Sequence, residues 1–306
     1  MKTIPRFLAR SGVLLAVLAL AAPLACSDAT SPRRDRLVLQ FTNLEPLANG
    51  FHYEGWAIMP NGPVSTGKFN VVSGSGLVTV SGSAITGGEF IAGIDLDAAT
   101  AIVITIEQNG DVDAVPSATK VLGGSLTSGS ASLQISAPQA LATNFAAAAG
   151  KFILATPTDG MNNNETSGIW FVDLVGGTPT VGLSLPALSP GWTYEGWAVI
   201  GGRPVSTGRF TSAAGADGSA RYSGPLAAPP FPGEDFLANA PSGLIFPTNL
   251  SGGMAVISVE PVPDDSPAPF TLKPLTRTIP ANAADHVAFS MTVNPAAFPS
   301  GIATLR

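Results

Sequence analysis

The chain has 306 residues, a formal net charge of −6, one cysteine and two histidines. Charged residues make up 12% of it, about half the usual share, so the clustered Lys and Arg that nucleic-acid binding requires are missing. A single cysteine allows neither an internal disulfide nor a Cys-based zinc site. The 34 glycines and 27 prolines disfavour a helical bundle, because both residues interrupt helices.

The first 25 residues have the pattern of a signal peptide. A basic segment with Lys2, Arg6 and Arg10 precedes an apolar run over residues 11–25, which is shorter than the roughly 20 residues of a membrane span. The sequence Ala25-Cys26 then resembles a bacterial lipoprotein signal, in which the cysteine thiol is acylated. We therefore expect lipidation at Cys26, a flexible tether over residues 26–36, and an exported protein held on the membrane of the cell envelope. Ordinary secretion with an incidental cysteine is the alternative.

A segment of the remaining chain occurs twice. Leu47–Phe69 aligns with Leu188–Phe210 at a constant offset of 141, and 13 of the 23 positions are identical. Weaker similarities follow, between Gly88-Glu89-Phe90 and Gly233–Phe236 and between Ala101–Glu107 and Ala255–Glu260. Solenoids usually need three or more repeats to share a core. We therefore predict two self-sufficient modules, residues 37–160 and 161–306.

Short runs rich in β-branched and aromatic residues fill most of both repeats, bounded by Gly, Pro, Asn, Asp or Ser. Their spacing predicts an all-β fold of two tandem antiparallel β-sandwiches of the Ig-like type. The one helix candidate is residues 138–149, with a proline near its start and Gly150 after its end. The predicted strands are Leu37–Phe41, Tyr53–Ile58, Gly67–Val72, Leu77–Val80, Ala101–Ile106, Ala131–Ile135, Gly168–Val172, Trp197–Ile200, Met254–Val259 and Val287–Val293.

The repeated Tyr-Glu-Gly-Trp element is the best candidate for a functional signature. On a strand, Glu54 and Trp56 face one side while Tyr53 and Ala57 face the other. We predict that the Trp side is the core side, so that Glu54 needs a partner at the core edge, and that Lys68 on the next strand supplies it. Arg209 has the same place in the second copy. The signature residues either build the fold or form an aromatic and acidic surface that binds sugar or peptide: Tyr53, Glu54, Trp56, Tyr194, Glu195 and Trp197.

This pattern resembles the extracytoplasmic C-terminal domain of anti-sigma-K factors (RskA type). The residues that match are Tyr53–Phe69 with Thr105-Ile106-Glu107 and Pro116-Ser117, and Tyr194–Phe210 with Glu260 in the second copy. The resemblance implies a β-sandwich that forms the outward, sensory part of a membrane regulator. Since the sigma-binding segment and a spanning helix are missing from the pattern, it implies a sensing or binding role and not inhibition of a sigma factor.

Motifs for catalysis or metal binding are missing from the sequence. His52 is replaced by Thr193 in the second copy and His286 is far away, so a shared catalytic use is not expected. The patterns of the hydrolase elbow, of zinc proteases and of phosphate-binding loops do not occur. We expect no catalytic residue, metal or cofactor. Four carboxylate pairs have oxygen ligands for Ca²⁺, but we interpret them as solvated turn acids: Asp95/Asp97, Asp111/Asp113, Glu234/Asp235 and Asp264/Asp265.

These observations favour a non-catalytic extracytoplasmic lipoprotein with a role in envelope interaction, sensing or regulation. Its partners would be the membrane, through the lipid anchor, and an envelope protein or glycan. One alternative is a carbohydrate- or peptide-binding surface protein, which exposed aromatics such as Trp170 or Trp192 would support. The other is a hydrolase, which would need two carboxylates that converge in a cleft.

Overall fold

Short antiparallel strands dominate the computed structural model, which describes residues 1–3, 33–72 and 76–306. The predicted signal peptide, apart from its first three residues, lies outside the described residues, and so do Cys26 and the tether up to residue 32. Within the described ranges, no helix has the length and apolar character that crossing a membrane requires.

The described chain contains 21 strands and three short 3-10 turns, the turns being Thr86–Gly88, Glu165–Ser167 and Pro295–Ala297. The strands, in chain order, are β1 Arg36–Thr42, β2 His52–Met59, β3 Gly62–Val72, β4 Gly76–Val78, β5 Glu89–Ile91, β6 Ala101–Glu107, β7 Lys120–Ser125, β8 Ser130–Gln134, β9 Ala149–Leu154, β10 Gly168–Trp170, β11 Val172–Val175, β12 Thr178–Val181, β13 Leu183–Ser184, β14 Trp192–Ile200, β15 Arg203–Phe210, β16 Gly233–Asp235, β17 Met254–Pro261, β18 Leu275–Thr278, β19 Phe289–Ser290, β20 Thr292–Val293 and β21 Ser300–Leu305. The predicted all-β, antiparallel sandwich-type class is confirmed.

The first repeat forms a nine-stranded sheet in the order β4-β3-β2-β6-β7-β8-β21-β1-β5. The interior strand β6 has a β-branched sequence that is buried along its whole length, as expected for a strand covered on both faces. The sheet curls so that β5 lies beside β3, where the Phe90 ring centroid is 5.5 Å from that of Phe69. This curvature encloses an apolar core.

The second repeat has the same strand order, assembled from more pieces. β15, β14, β17 and β18 correspond to β3, β2, β6 and β7, and the split strand β19/β20 corresponds to β8. β9 corresponds to β21. It pairs with β19 on one side, as β21 pairs with β8, and with β10 and β13 on the other side, as β21 pairs with β1. β16 takes the place of β5. The hairpin β11–β12, residues 172–181, interrupts the equivalent of β1.

The two repeats exchange their last strands. In sequence, β9 follows β8 of the first repeat, but it pairs in the sheet of the second. The C-terminal strand β21 follows the second repeat, but it lies between β8 and β1 in the sheet of the first. Each sheet therefore depends on a strand from the other half of the chain.

The strand pairing therefore departs from the predicted boundary at residues 160 and 161. β9 lies in the predicted first module and β21 in the second, yet each completes the other sheet, because an open strand edge takes whichever strand satisfies its backbone groups. One continuous apolar cluster also includes side chains of both repeats, from Leu37 to Leu305. The described residues from Arg33 to Arg306 form one compact unit.

Two local expectations were wrong. Residues 138–149 form turns instead of a helix, because Ala142 and Phe145 have φ near +57° and +55°, which a right-handed helix cannot contain. This backbone places the Phe145 ring in the core, 5.6 Å from the Phe298 ring centroid. The end of the predicted tether is also part of the fold: Asp35 accepts a backbone hydrogen bond from Ala92, and Arg36 begins β1.

Candidate functional site

The repeated signature lies on matching hairpins, β2–β3 and β14–β15. A β-bulge separates Gly55 from Trp56 in the first hairpin and Gly196 from Trp197 in the second. The bulge changes which side chains share a face, since one strand gains a residue relative to its partner. Gly67 requires the absence of a side chain, because its φ is +139° and a Cβ there would lie 2.7 Å from the Phe90 ring.

The signature tyrosines belong to the main apolar core. Tyr53 stacks on Phe69 with ring centroids 5.6 Å apart, and its hydroxyl donates to the carbonyl of Glu45 at 2.9 Å. Tyr194 repeats this arrangement, at 5.7 Å from Phe210 and 2.6 Å from the carbonyl of Pro186. The prediction that the Trp side is the core side was therefore wrong. The Tyr side is the apolar one, and the Trp side carries buried polar groups.

In the first copy the indole of Trp56 begins a chain of hydrogen bonds. Its Nε1 donates to the Thr105 hydroxyl at 2.9 Å, and that hydroxyl donates to the Glu107 carboxylate. The backbone N–H of Ser117 donates to the same carboxylate oxygen at 3.0 Å. The chain connects the signature strand, its neighbour β6 and the loop that follows β6.

The second copy repeats this chain with a serine in place of the threonine. Trp197 Nε1 donates to the Ser258 hydroxyl at 2.7 Å, and Ser258 is hydrogen-bonded to Glu260. The backbone N–H of Phe270 donates to both carboxylate oxygens of Glu260, at 3.0 and 3.1 Å. Burial raises the pKa of Glu260 to about 8.

The signature glutamates pair with the cations that the sequence indicated. Glu54 Oε2 lies 3.5 Å from Lys68 Nζ, and Oε1 accepts a hydrogen bond from the Ser65 hydroxyl. Lys68 Nζ also donates to Asp111, at 2.8 Å to the carboxylate and 2.6 Å to the carbonyl. Burial raises the pKa of Glu54, whereas the hydrogen bond from Lys68 lowers the pKa of Asp111.

In the second copy an arginine bonds to both of the equivalent acids. Arg209 Nε donates to Glu195 Oε2 at 3.0 Å, and its Nη2 bonds to Asp264. The Ser206 hydroxyl donates to Glu195, as Ser65 does to Glu54. Because the planar guanidinium donates in two directions at once, it holds both carboxylates in fixed positions.

Sequence reasoning missed several members of these networks. Ser65 and Ser206 lie in the identical Pro-Val-Ser-Thr-Gly runs, so their repetition was a signal for a shared role. Thr105 and Ser258 occupy matching places two residues before the repeated glutamates, which was a second signal. Asp111 and Asp264 lie in loops, where no periodicity indicates which way a side chain points.

The interpretation of the acidic pairs as solvated turn acids was wrong for two of the four pairs and for Asp111 of a third, which is paired with Lys68. Glu234 and Asp235 are fully buried, and hydrogen bonds from the Ser223 hydroxyl and from Trp170 Nε1 hold them. Asp265 is also buried and accepts from the backbone N–H of Ala48 at 2.6 Å, which links the two repeats. Asp95 and Asp97 are exposed as expected.

Two of the clefts on the described surface bear on the candidate functions. The larger, of about 400 Å³, is lined by Glu107, Asp111 and Asp113 of the first repeat and by Val262 and Pro263 of the second. The smaller, of about 240 Å³, is mainly apolar, and its lining includes Ile153, Pro157, Trp170, Pro179, Pro229 and Phe231.

The four tryptophans, Trp56, Trp170, Trp192 and Trp197, are all at most 5% exposed. Flat, open aromatic faces of the kind that stack on sugar rings are therefore not provided by these indoles. His286 lies on the surface, 3.0 Å from Asp285, whereas His52 is buried beside Glu54.

Comparisons of this chain with protein-family models, with curated proteins and with solved structures found no match.

Proposed function

We propose that this chain is a non-catalytic lipoprotein of the cell envelope, held on the membrane through Cys26. Its two repeats, like the sandwich domains of anti-sigma-K factors, would serve in envelope interaction, sensing or regulation. The observation that carries the non-catalytic part is that Glu54 and Glu195 bond to matching serines and cations inside the fold. A general acid or base has to reach a proton of its substrate, and these carboxylates are turned inward.

The carboxylates of the larger cleft also favour a structural role over hydrolysis. Glu107 accepts from the Thr105 hydroxyl and from the Ser117 N–H, and Asp111 is paired with Lys68. A paired-carboxylate hydrolase needs one free acid and one free base across the substrate. A screen with chromogenic glycosides and esters should therefore show no turnover above that of the double variant Glu107→Gln, Asp111→Asn. Turnover that this variant abolishes would establish an enzyme.

The anchor is tested by replacing the acylation site. Cells that express the wild type or Cys26→Ser are fed an alkyne-labelled fatty acid, and their membranes are separated from soluble fractions. We expect label and membrane association in the wild type and neither in Cys26→Ser, because a thiol is needed for attachment. Unlabelled wild-type protein, or a variant that stays on the membrane in equal amount, would contradict lipidation and leave ordinary secretion.

The smaller cleft favours peptide over carbohydrate as the second candidate function. Its apolar lining of proline, aliphatic and aromatic side chains matches an apolar peptide segment, while sugar binding would need exposed aromatic faces and convergent polar groups. A panel of apolar, proline-containing peptides and a glycan array should separate the two. Binding of peptide that Phe231→Ser weakens and Phe41→Ser leaves unchanged would support this candidate; binding of glycans only would contradict it.

A further inference from the structure

His52 is a buried histidine with a free ring nitrogen. The side chain is 3% exposed, and its Nε2 has no hydrogen-bond partner among the described residues. Its Nδ1 lies 3.4 Å from the carbonyl oxygen of Gly50. A proton on Nδ1 directed at that carbonyl leaves Nε2 with its lone pair, which is the tautomer that binds metals. Leaving such a nitrogen unpaired in the interior is unfavourable.

Two carboxylates face this nitrogen region. One ligand atom each from His52, Glu54 and Asp111 lies within 4.8 Å of the others. Ligands that share an ion at about 2.0–2.2 Å lie roughly 3–4 Å apart, so small side-chain movements bring the three to bonding distance. Glu54 Oε2 is also buried and has no hydrogen-bond partner within the described chain. The group therefore includes a buried imidazole nitrogen without a hydrogen-bond partner and a buried carboxylate oxygen whose nearest cation is the Lys68 ammonium at 3.5 Å.

The Lys68 ammonium occupies the position between the two carboxylates that a metal ion would take. Its ammonium lies 2.8 Å from the Asp111 carboxylate and 3.5 Å from that of Glu54. The side chain is 28% exposed, so rotation about its flexible stem can move the ammonium into solvent. A divalent ion would then balance the two carboxylates and, unlike the ammonium, also bond to the imidazole. Asp111 lines the larger cleft, so one of the three ligands is within reach of solvent.

The second copy is a natural control for this site. Thr193 stands where the first copy has His52, and Arg209 stands where it has Lys68. The guanidinium bonds to both equivalent carboxylates, Glu195 and Asp264. The equivalent place in the second copy therefore lacks the imidazole, and Arg209 already occupies both of its carboxylates.

We propose that His52, Glu54 and Asp111 bind one Zn²⁺ per chain, with Lys68 moving aside. Imidazole with carboxylate oxygens and one open position suits zinc, whereas Ca²⁺ and Mg²⁺ take oxygen ligands only. The site is specific to the first copy.

The test uses the full chain with Cys26→Ser as the parent, so that the free thiol binds no metal. Equilibrium dialysis against Zn²⁺ should give one ion per chain. His52→Thr, which installs the residue of the second copy, should bind at least about tenfold more weakly, as expected when a metal site loses a supporting group. Lys68→Ala should bind more tightly, because no ammonium competes. The matched control Thr193→Ser should bind as the parent does.

Two further measurements keep the proposal falsifiable. Co²⁺ in place of Zn²⁺ should give visible absorption bands of a four-coordinate site in the parent and not in His52→Thr. Zn²⁺ should raise the Tm of the parent and leave that of His52→Thr unchanged, because only a folded chain with the site gains from the ion. If His52→Thr is unfolded by circular dichroism, His52→Gln replaces it. Equal zinc binding by the parent and the histidine variant, or weaker binding by Lys68→Ala, would overturn the proposal.

Discussion

The exchange of β9 and β21 predicts which piece of the chain completes the first sheet. β21 pairs with β1 over six residues and with β8 over five. An antiparallel ladder has about one hydrogen bond per residue pair, and each contributes a net of about 1 kcal/mol. Loss of β21 therefore costs on the order of 10 kcal/mol, which is comparable to the whole stability of a domain.

β9 is the strand that follows β8 in sequence, but its side chains do not fit the place of β21. In the equivalent register Gly150 would replace Gly301 and Lys151 would replace the exposed Ile302, so these two positions are compatible. Phe152, however, would replace the fully buried Ala303, where a phenyl ring overpacks the core. Overpacking of this kind costs about 1–3 kcal/mol per site. Even a first repeat that folds back its own β9 should therefore be less stable by about 1–3 kcal/mol.

Two matched proteins test this reasoning. One is the contiguous piece, residues 33–155, which ends with β9. The other joins residues 33–134 to residues 300–306 through a short Asn-Gly turn, which is possible because Gln134 and Ser300 are directly paired. Chemical unfolding followed by circular dichroism should show the rewired protein to be the more stable of the two. A contiguous piece of equal or greater stability would refute the argument.

The full chain offers an independent check on the same point. Ala303→Phe, which installs the residue that β9 has at this place, should lower its unfolding free energy by about 1–3 kcal/mol, because the ring overpacks a fully buried position. Ile302→Lys, at an exposed position of the same strand, is the control and should change it by less than about 0.5 kcal/mol. Equal effects of the two substitutions would contradict the fit of β21 described above.

Three other predictions concern the repeated networks. Trp56→Phe and Trp197→Phe should each lower the unfolding free energy by about 1–3 kcal/mol in denaturant titrations, since each leaves a buried hydroxyl without its donor; a neutral result for either would show that the networks are not equivalent. Gly67→Ala should destabilise more than Gly62→Ala, because both have positive φ but only Gly67 has a ring 2.7 Å from the new Cβ; similar unfolding midpoints would contradict this. Burial raises the pKa of Glu260 to about 8, so the folded state holds a proton that the unfolded state releases near pH 4.5. Its contribution to stability should fall as the pH rises from about 4.5 to 8, by an amount on the order of a few kcal/mol, and Glu260→Gln should flatten that slope; an unchanged slope would show that Glu260 titrates normally.

The sequence allowed the hairpins and their ion pairs to be predicted because both depend on short-range spacing. The signature strand was predicted as Tyr53–Ile58 and is observed as His52–Met59. The pairing of Glu54 with Lys68 is confirmed at 3.5 Å and that of Glu195 with Arg209 at 3.0 Å. In each pair the two side chains lie opposite each other on neighbouring strands, in the register that the turn sets.

Long-range choices could not be predicted from the same patterns. β9 and β21 have similar strand propensity, and nothing local indicates which sheet each joins. Strand β2 keeps its alternation, since the extra residue of the bulge is Thr66 on β3 and the register of β2 with β6 is unbroken. Which of its two faces meets the apolar core depends on long-range packing that the alternation does not indicate. The burial of Glu234 and Asp235 depends on hydrogen bonds from Ser223 and Trp170, which are distant from them in sequence.

Comparison of the two copies distinguishes residues that build the fold, which recur, from residues that could have a specialised role, which do not. Trp56 and Trp197 make the same hydrogen bond in two otherwise different surroundings, so the fold alone accounts for them. His52 has no counterpart of its type, and its buried Nε2 has no hydrogen-bond partner among the described residues. A buried nitrogen without a hydrogen-bond partner in one copy only is expected where that copy has gained a binding site. The zinc titration of His52→Thr therefore tests the position at which the two halves differ most in chemistry.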